Sequence, residues 1–122
     1  MKQECAFRKI VQGELPSDKL YEDDAVLAFT PKEQVSRGHL LVIPKDHYEN
    51  IFDISNDCLT KIVHVVKNLS FKLKEELDAT GINLLHASGK DAQQSVFHFH
   101  FHLVPRYPND GLDLWIRSGI EK

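Results

Sequence analysis

Cysteine is scarce in this chain, which has only Cys5 and Cys58 among its 122 residues. Small secreted domains that cannot build a large core usually carry several disulfides at short spacings. Two widely separated cysteines exclude a framework of that kind. We therefore interpret both residues as reduced thiols.

Long hydrophobic runs are also missing. No stretch approaches the roughly 20 apolar residues that a membrane-spanning helix needs, and the opening sequence MKQECAFRKI has no apolar segment of the secretory type. Neither sign of charge dominates, because the chain has 15 Lys and Arg and 18 Asp and Glu. It has no run of basic residues that could follow a nucleic-acid backbone. We expect a cytoplasmic protein that binds neither a membrane nor a nucleic acid.

The composition that is present is typical of one compact domain. Hydrophobic residues make up 42% of the chain and charged residues 27%, a balance that supports a modest core. The sequence has no internal repeat, linker or low-complexity tract. We expect a single domain over residues 1–122, with its motif-bearing core at about 5–107 and a C-terminal tail at 108–122.

Apolar periodicity predicts two helices and five strands. Apolar residues at i, i+3 and i+4 indicate helices, and short apolar runs between turn residues indicate strands. The predicted elements are, in order, a short helix at 7–11, strands near 19–22 and 25–30, a strand at 40–44, a long helix, a strand at 82–88 and a strand at 97–105.

The long helix should begin after Ser55 or Asp53, both good N-cap residues, and stop at Gly81. This mixture of elements favours an α+β fold, in which a five-stranded antiparallel sheet carries both helices on one face. The apolar residues assigned to the buried helix face are Leu59, Ile62, Val63, Val66, Leu69, Leu73 and Leu77.

The most unusual segment is QQSVFHFHFHLVPR, residues 93–106, in which histidines alternate with phenylalanines. Successive side chains of an extended strand point to opposite faces, so the two residue types separate by face. We expect the phenyl rings to enter the core and the imidazoles to occupy an open face. The histidines are His98, His100 and His102, and the phenylalanines are Phe97, Phe99 and Phe101.

Imidazole suits either metal ligation or nucleophile and proton chemistry near neutral pH. At roughly 3.3 Å per residue, His98 and His102 lie about 13 Å apart along a strand, whereas zinc ligands lie about 2 Å from their metal. A metal site made from all three is disfavoured, although two of them could share an ion with a ligand from elsewhere. A row of imidazoles matches a row of phosphate groups better. We interpret the isolated His64 and His86 as ordinary surface or core residues.

The segment HFHFHLV resembles the His-x-His-x-His-x-x signature of the histidine triad (HIT) family, with an apolar residue at each x. The blocks CAFRKIVQGELPSDKLYEDDAVLAF, RGHLLVIPKDH and QSVFHFHFHLVPR are similar to successive blocks of that family, in the same order and at matching separations. The resemblance covers about residues 5–107. The upstream GHLLVIPK makes it far more specific than the histidines alone.

HIT proteins are nucleotide hydrolases and transferases that act as homodimers, and each subunit gives strands to one continuous sheet. Their middle histidine attacks the α-phosphorus of the substrate, expels the group beyond it and forms a nucleotidyl-histidine that water cleaves. The resemblance therefore implies a nucleotide or nucleoside phosphoramidate substrate, no cofactor, and His100 as the nucleophile. The second ring nitrogen of His100 must be held by an acceptor, for which the family uses a backbone carbonyl.

The resemblance also implies roles for neighbouring residues. His102 would stabilise the phosphoryl oxygens, and Ser95 and Gln94 would donate hydrogen bonds to the phosphate or the leaving group. His98 and His39 would complete the site and relay a proton to the leaving group.

The family's apolar base pocket corresponds to Phe7, Ile10 and Phe29, although Ile10 is equally well explained as core. Two positions depart from the family. The acidic or amide residue that holds the ribose hydroxyls is Pro31, which offers neither a side-chain acceptor nor an N–H. An asparagine near the phosphate is replaced by Ala87.

A structural zinc site is only partly kept. Many bacterial HIT proteins bind zinc through a Cys-x-x-Cys pair, the histidine of VIPKxH and the first triad histidine. This chain retains Cys5, His47 and His98 but has Arg8 at the second cysteine. A guanidinium is permanently cationic and has no lone pair for a metal. We therefore predict no metal.

Two other functions stay open at this point. The first is a nucleotide-binding or interaction module that keeps the fold but has lost efficient catalysis, as Pro31 and Ala87 suggest. The second is a metal-binding protein that uses His47, His98 and one further ligand.

Overall fold

The computed structural model describes residues 5–116. Residues 1–4 and 117–122 lie outside the described part, and with them the two ends of the predicted domain and the last part of the predicted tail at 108–122. Across the described residues, no helix is both long enough and apolar enough to cross a membrane.

The strands of the sheet are β1 Lys19–Glu22, β2 Val26–Phe29, β3 Leu40–Pro44, β4 Gly81–Leu85 and β5 Phe101–Arg106. They lie in the order β1-β2-β3-β5-β4, and every neighbouring pair is antiparallel, as predicted. Asp23 fixes the predicted β1–β2 hairpin, because its carboxylate accepts the backbone N–H groups of Ala25 and Val26. The outer edge of β4 has no partner strand among the described residues.

The long helix α2 spans Asn56–Leu77. Ser55 is its N-cap: the hydroxyl accepts a hydrogen bond from the backbone N–H of Cys58 at 3.1 Å, which decides between the two predicted caps. Asp53 instead organises the preceding turn by accepting the backbone N–H groups of residues 49 and 50.

The end of α2 differs from the prediction. Asp78 adopts a left-handed backbone, with φ of 60°, and terminates the helix, whereas the predicted stop Gly81 is the first residue of β4. Val63 is also misassigned, because 48% of its surface is exposed and Val65 takes the buried position. An i, i+3, i+4 pattern leaves both residues possible on the apolar stripe, and packing selects one.

The helices lie on opposite faces of the sheet, and the prediction that they share one face is wrong. Ala28 and Val42 belong to the core under α2, whereas Leu27 and Ile43 belong to the core under the short helix α1, Ala6–Val11. Neighbouring residues of a strand point to opposite faces, so β2 and β3 are buried on both sides. Because both faces of these strands are buried, their sequences are apolar at every position and do not alternate.

The histidine segment is only partly a strand. Because β5 begins at Phe101, His98 and His100 precede it. Both imidazoles are buried, with 0% and 6% of their surface exposed, so the prediction of an open imidazole face is wrong. The physical reason is that α1 packs on that face and Phe7 contacts both rings.

The phenylalanines of the segment behave differently from one another. Phe99 is fully buried in the α2 core and Phe101 packs against that core, as predicted. Phe97 is 45% exposed, and its predicted burial is wrong. The regular strand that would aim Phe97 at the core has not yet begun at this position.

A glycine is required where the chain enters β3. Gly38 has φ of +87°, and a Cβ atom there would lie 2.7 Å from Leu77 Cδ1 and 3.2 Å from Pro105 Cγ. The positive φ makes any side chain at this position strained, and a Cβ atom would also require the Leu77 side chain to move. The turn at Gly38 places His39 at the start of β3, beside β5.

Candidate active site

The central residue of the site is His100. Its Nδ1 lies 2.8 Å from the carbonyl oxygen of His98. A carbonyl oxygen only accepts hydrogen bonds, so Nδ1 carries the proton and, in the neutral ring, Nε2 carries the lone pair. This is the backbone bond that the resemblance implies, and it leaves His100 in the tautomer that a nucleophile at Nε2 needs.

A second tautomer is fixed through the pair His39 and His102. The backbone N–H of Val35 donates to His39 Nδ1 at 3.2 Å, so the neutral His39 ring carries its proton on Nε2. That Nε2 lies 3.1 Å from His102 Nδ1 and donates to it. The neutral His102 ring therefore carries its own proton on Nε2, and its ring centroid lies 5.2 Å from that of His100.

Burial keeps these imidazoles neutral at neutral pH. It lowers the pKa of His39 and His100 below the usual value of histidine. It lowers the pKa of His102 to about 4, and the nearby rings of His100 and His39 add to the effect. The result is a lone pair on one ring beside an N–H donor on the next, with neither ring charged.

His98 belongs to a different cluster. Its Nε2 donates to the carbonyl oxygen of Pro44 at 2.8 Å, so its Nδ1 carries the lone pair. That lone pair faces Cys5 Sγ at 3.5 Å and His47 Nδ1 at 3.1 Å. Burial, followed by the charge effects of nearby groups that include Arg8, lowers the pKa of His98 to about 4. The structure thus groups His98 with Cys5 and His47 rather than with His102.

The cluster of Cys5, His47 and His98 offers three possible zinc ligands. The donor atoms of Cys5, His47 and His98 all lie within 4.8 Å of one another, and two potential donors converge on a single lone pair. A closed structural zinc site needs four N, S or O ligands. Arg8, one helical turn after Cys5, contributes only positive charge near His98. The residues present supply three ligands and do not complete such a site.

The loop before the histidines is held by Gln94, which is 5% exposed. Its Oε1 accepts the N–H of Gly89 at 2.7 Å, and its Nε2 donates to the carbonyl oxygens of Glu49 and Val96 at 2.7 and 3.0 Å. A bond from Gln94 to a phosphate would require its amide to release one of these carbonyls. Ser95 is exposed, and no hydrogen bond of its hydroxyl is formed within residues 5–116.

The predicted base-pocket residues cover the histidine face. Phe7 and Phe29 are 8% and 2% exposed, and their rings meet edge to face with centroids 5.6 Å apart. Ile10 is partly buried against the same cluster. The Phe7 ring also stands perpendicular to the His100 ring. These residues form the apolar wall beside His100, and Ile10 adds the packing expected of a core residue.

One contact was not indicated by the sequence: His86 donates from Nδ1 to the carbonyl oxygen of His100 at 2.9 Å. Spacing could not reveal it, because the acceptor is a backbone atom. The grouping of Cys5, His47 and His98 is the one that the resemblance implies. His64 is exposed on α2, in agreement with its interpretation as an ordinary surface residue.

Fold and site together define a small α+β protein with a buried, neutral histidine whose Nε2 carries a lone pair. The comparisons with known proteins agree. The model of the HIT domain matches residues 12–109. The chain is 44% identical over 103 residues to Protein hit of Bacillus subtilis, covering 84% of this chain and 71% of that protein.

Two further similarities are informative. The chain is 40% identical over 106 residues to adenosine 5'-monophosphoramidase HNT1 of Candida albicans, covering 84% of this chain and 70% of that protein. The crystal structure of a HIT family protein from Bacillus anthracis superposes with a TM-score of 0.89 at 42% identity, covering 98% of this chain and 85% of that one. The chain belongs to the HIT family.

Proposed function

We propose that this protein is a nucleotide hydrolase or transferase that cleaves its substrate at the α-phosphate through a covalent nucleotidyl-histidine on His100. The observation that carries the proposal is the pair of fixed tautomers: the lone pair of His100 Nε2 beside the Nε2–H of His102. A nucleoside phosphoramidate is the substrate favoured by the similarity to the Candida monophosphoramidase.

In the first step, the Nε2 lone pair of His100 attacks the α-phosphorus. The bond from phosphorus to the leaving nitrogen or oxygen breaks, and the leaving group takes the electron pair and one proton. The Nδ1–H bond to the His98 carbonyl stabilises the positive charge that develops on the attacking ring. In the second step water attacks the phosphorus and the bond from phosphorus to Nε2 breaks. The electron pair of that bond returns His100 to its neutral form, and the water gives one proton back to the group that protonated the leaving group.

His102 would donate its Nε2 proton as a hydrogen bond to a phosphoryl oxygen. The resemblance assigns the proton relay to His39 and His98. The contacts favour His39, which reaches the site through His102, over His98, which faces Cys5 and His47. Ser95 is proposed to donate a hydrogen bond to the phosphate, because its hydroxyl is exposed. The apolar wall of Phe7 and Phe29 is proposed to form one side of the base site.

The decisive test is turnover by His100→Ala, with His64→Ala as the matched control because His64 is exposed on α2. A panel of nucleoside phosphoramidates and dinucleoside polyphosphates would serve as substrates, and mass spectrometry of quenched wild type would detect the adduct. We expect a nucleotidyl adduct in wild type and in His64→Ala and neither adduct nor turnover in His100→Ala. Undiminished turnover by His100→Ala would end the proposal.

The same chain is proposed to act as a single-domain, cytoplasmic homodimer. Within residues 5–116 the outer edge of β4 has no partner strand, which supports a continuous sheet between two copies. Two exposed apolar residues lie by β4: Phe71 at 56%, near Gly81 and Ile82, and Leu84 at 43%. Light scattering should show a dimer that Leu84→Lys disrupts, whereas Leu20→Lys on the opposite edge strand leaves it intact. A wild-type monomer would contradict this part.

A binding module without efficient catalysis is the second candidate, favoured by Pro31 and Ala87, which remove two polar groups that the family uses on its substrate. Calorimetry with nucleoside monophosphates separates the two functions. Micromolar binding together with no turnover of the substrate panel would support the module and contradict the enzyme.

A further inference from the structure

His86 lies just beyond the end of β4, and its side chain is hydrogen-bonded to the backbone carbonyl of the proposed nucleophile, His100. Its Nδ1 donates to the carbonyl oxygen of His100 at 2.9 Å, because that oxygen only accepts. The neutral ring then has its lone pair on Nε2, which accepts the hydroxyl proton of Ser88 in a short hydrogen bond. Ser88 Oγ in turn accepts the backbone N–H of Ile51 at 2.9 Å. One directed chain therefore runs from the loop before α2 to the peptide of His100.

The His86 ring is held by packing as well as by these bonds. Its centroid lies 4.6 Å from that of Phe99 and 5.3 Å from that of Phe101, the two residues on either side of the nucleophile. Both phenyl rings belong to the α2 side of the sheet. The His100 imidazole points to the other side, where it meets Phe7. His86 and the His100 imidazole thus lie on opposite sides of the backbone of this segment.

The acceptor of the His86 hydrogen bond, the carbonyl oxygen of His100, lies outside the paired part of the sheet. The pairing of β3 with β5 runs from Leu103 back to Phe101, and the pairing of β4 with β5 ends at His102. His100 therefore lies one residue beyond the last registered pair on one side and two beyond it on the other. In this unpaired segment the N–H of Phe99 donates to the carbonyl oxygen of Tyr48 at 2.7 Å, and the carbonyl oxygen of His100 is held by His86.

We propose that His86, supported by Ser88, is a positioning residue for the nucleophile. It fixes the peptide that follows the His100 Cα and so sets the direction in which Nε2 points. The inference rests on the proposed function, because positioning matters only if His100 attacks a substrate. A misdirected nucleophile lowers the rate of the chemical step while substrate contacts on the other face persist.

The test compares His86→Leu, which removes the donor, with His86→Asn, whose amide N–H replaces Nδ1–H. We expect kcat of His86→Leu to fall about tenfold or more with KM within about twofold, and His86→Asn to keep most of the wild-type kcat. His64→Leu serves as the control for an added leucine away from the site. Unchanged kcat in His86→Leu, or equal losses in the Leu and Asn variants, would overturn the proposal.

Nitrogen NMR gives a second measurement, and its main result needs only wild type. We expect wild-type His86 to carry its proton on Nδ1, with Nε2 unprotonated and hydrogen-bonded. In Ser88→Ala, we expect only the Nε2 signal of His86 to shift. An Nε2–H tautomer of neutral His86 would refute the proposed chain. The two hypotheses fail differently: a wild type without turnover removes the enzyme and the positioning role together, whereas active wild type with equally active His86→Leu removes only the role of His86.

Discussion

The rings of Phe7 and His100 meet edge to face, with centroids 5.1 Å apart and planes at 90°. Through this contact the six-residue helix α1 is attached directly to the proposed nucleophile. Aromatic edge-to-face pairs add about 0.5–1.5 kcal/mol to the stabilisation from burial. The contact also keeps water from one side of His100, so the packing of α1 and the chemistry of the site are linked.

Phe7→Ala should therefore affect both stability and turnover. Truncating a buried phenylalanine costs about 3–5 kcal/mol of unfolding free energy, and here it also opens the face on which His100 lies. Urea denaturation and steady-state kinetics would measure the two effects. Phe52→Ala is the control, because Phe52 is 86% exposed and should change stability by less than about 0.5 kcal/mol. Equal effects of the two substitutions would show that Phe7 is not a core residue.

Pro31→Asp should give the protein a preference for substrates that carry the ribose hydroxyls over substrates that lack them. An aspartate adds the carboxylate acceptor that Pro31 lacks, and one or two hydrogen bonds to a charged group are worth about 1.5–3 kcal/mol each. We expect the ratio of kcat/KM for ribonucleoside over 2',3'-dideoxynucleoside substrates to rise about tenfold or more. Pro31→Ala, which adds no acceptor, should leave the ratio near the wild-type value. A rise in both variants would mean that loss of the proline ring, and not the carboxylate, is responsible.

Arg8→Cys should create a zinc site. The new thiolate, together with Cys5, His47 and His98, would supply the four ligands of a structural site. Metal analysis of protein purified without a His-tag should give about one zinc per chain for this variant, and added zinc should raise its Tm. Wild type and Arg8→Ala should hold far less. Stoichiometric zinc in wild type would contradict the prediction that this chain binds no metal.

Stability should fall as the pH drops from about 6.5 towards 4. In the unfolded chain the histidine pKa is near 6.5, whereas the folded-state pKa of His98 and His102 is about 4. Between these values the unfolded state binds more protons, so acid favours unfolding, by up to about 1.4 kcal/mol per pH unit for each histidine. Tm measured at pH 7, 5.5 and 4.5 gives the slope. His64→Ala should keep the wild-type slope, and a flat profile in wild type would contradict the burial argument.

Much of the fold could be predicted because it depends on local pattern. The hairpin at Asp23, the cap at Ser55 and the five strands follow from turn residues, capping chemistry and apolar runs. The position of α1 on the histidine face could not be predicted in this way. It depends on which of two apolar faces of β2 and β3 accepts the helix, and an unbroken apolar run does not distinguish them.

The site was predictable in composition, but its grouping was predictable only in part. A motif identifies His100 and its neighbours, and alternation alone places all three histidines on one side. Alternation could not separate His98 from the other two; only the resemblance to the family's zinc site grouped it with Cys5 and His47, which it contacts across more than fifty residues of sequence. Nor could it give the role of Gln94, whose partners are backbone atoms of Gly89 in its own loop and of Glu49 in another loop.

The burial of β2 and β3 on both sides has a consequence for synthesis of the chain. The stretches VLAF and LLVIP have no polar face, so each exposes apolar side chains on both faces until both helices have docked. Before α2 emerges from the ribosome, this pair is exposed and prone to association with other chains. The short N-terminal helix is available first, and it would shield one side of the growing sheet against aggregation.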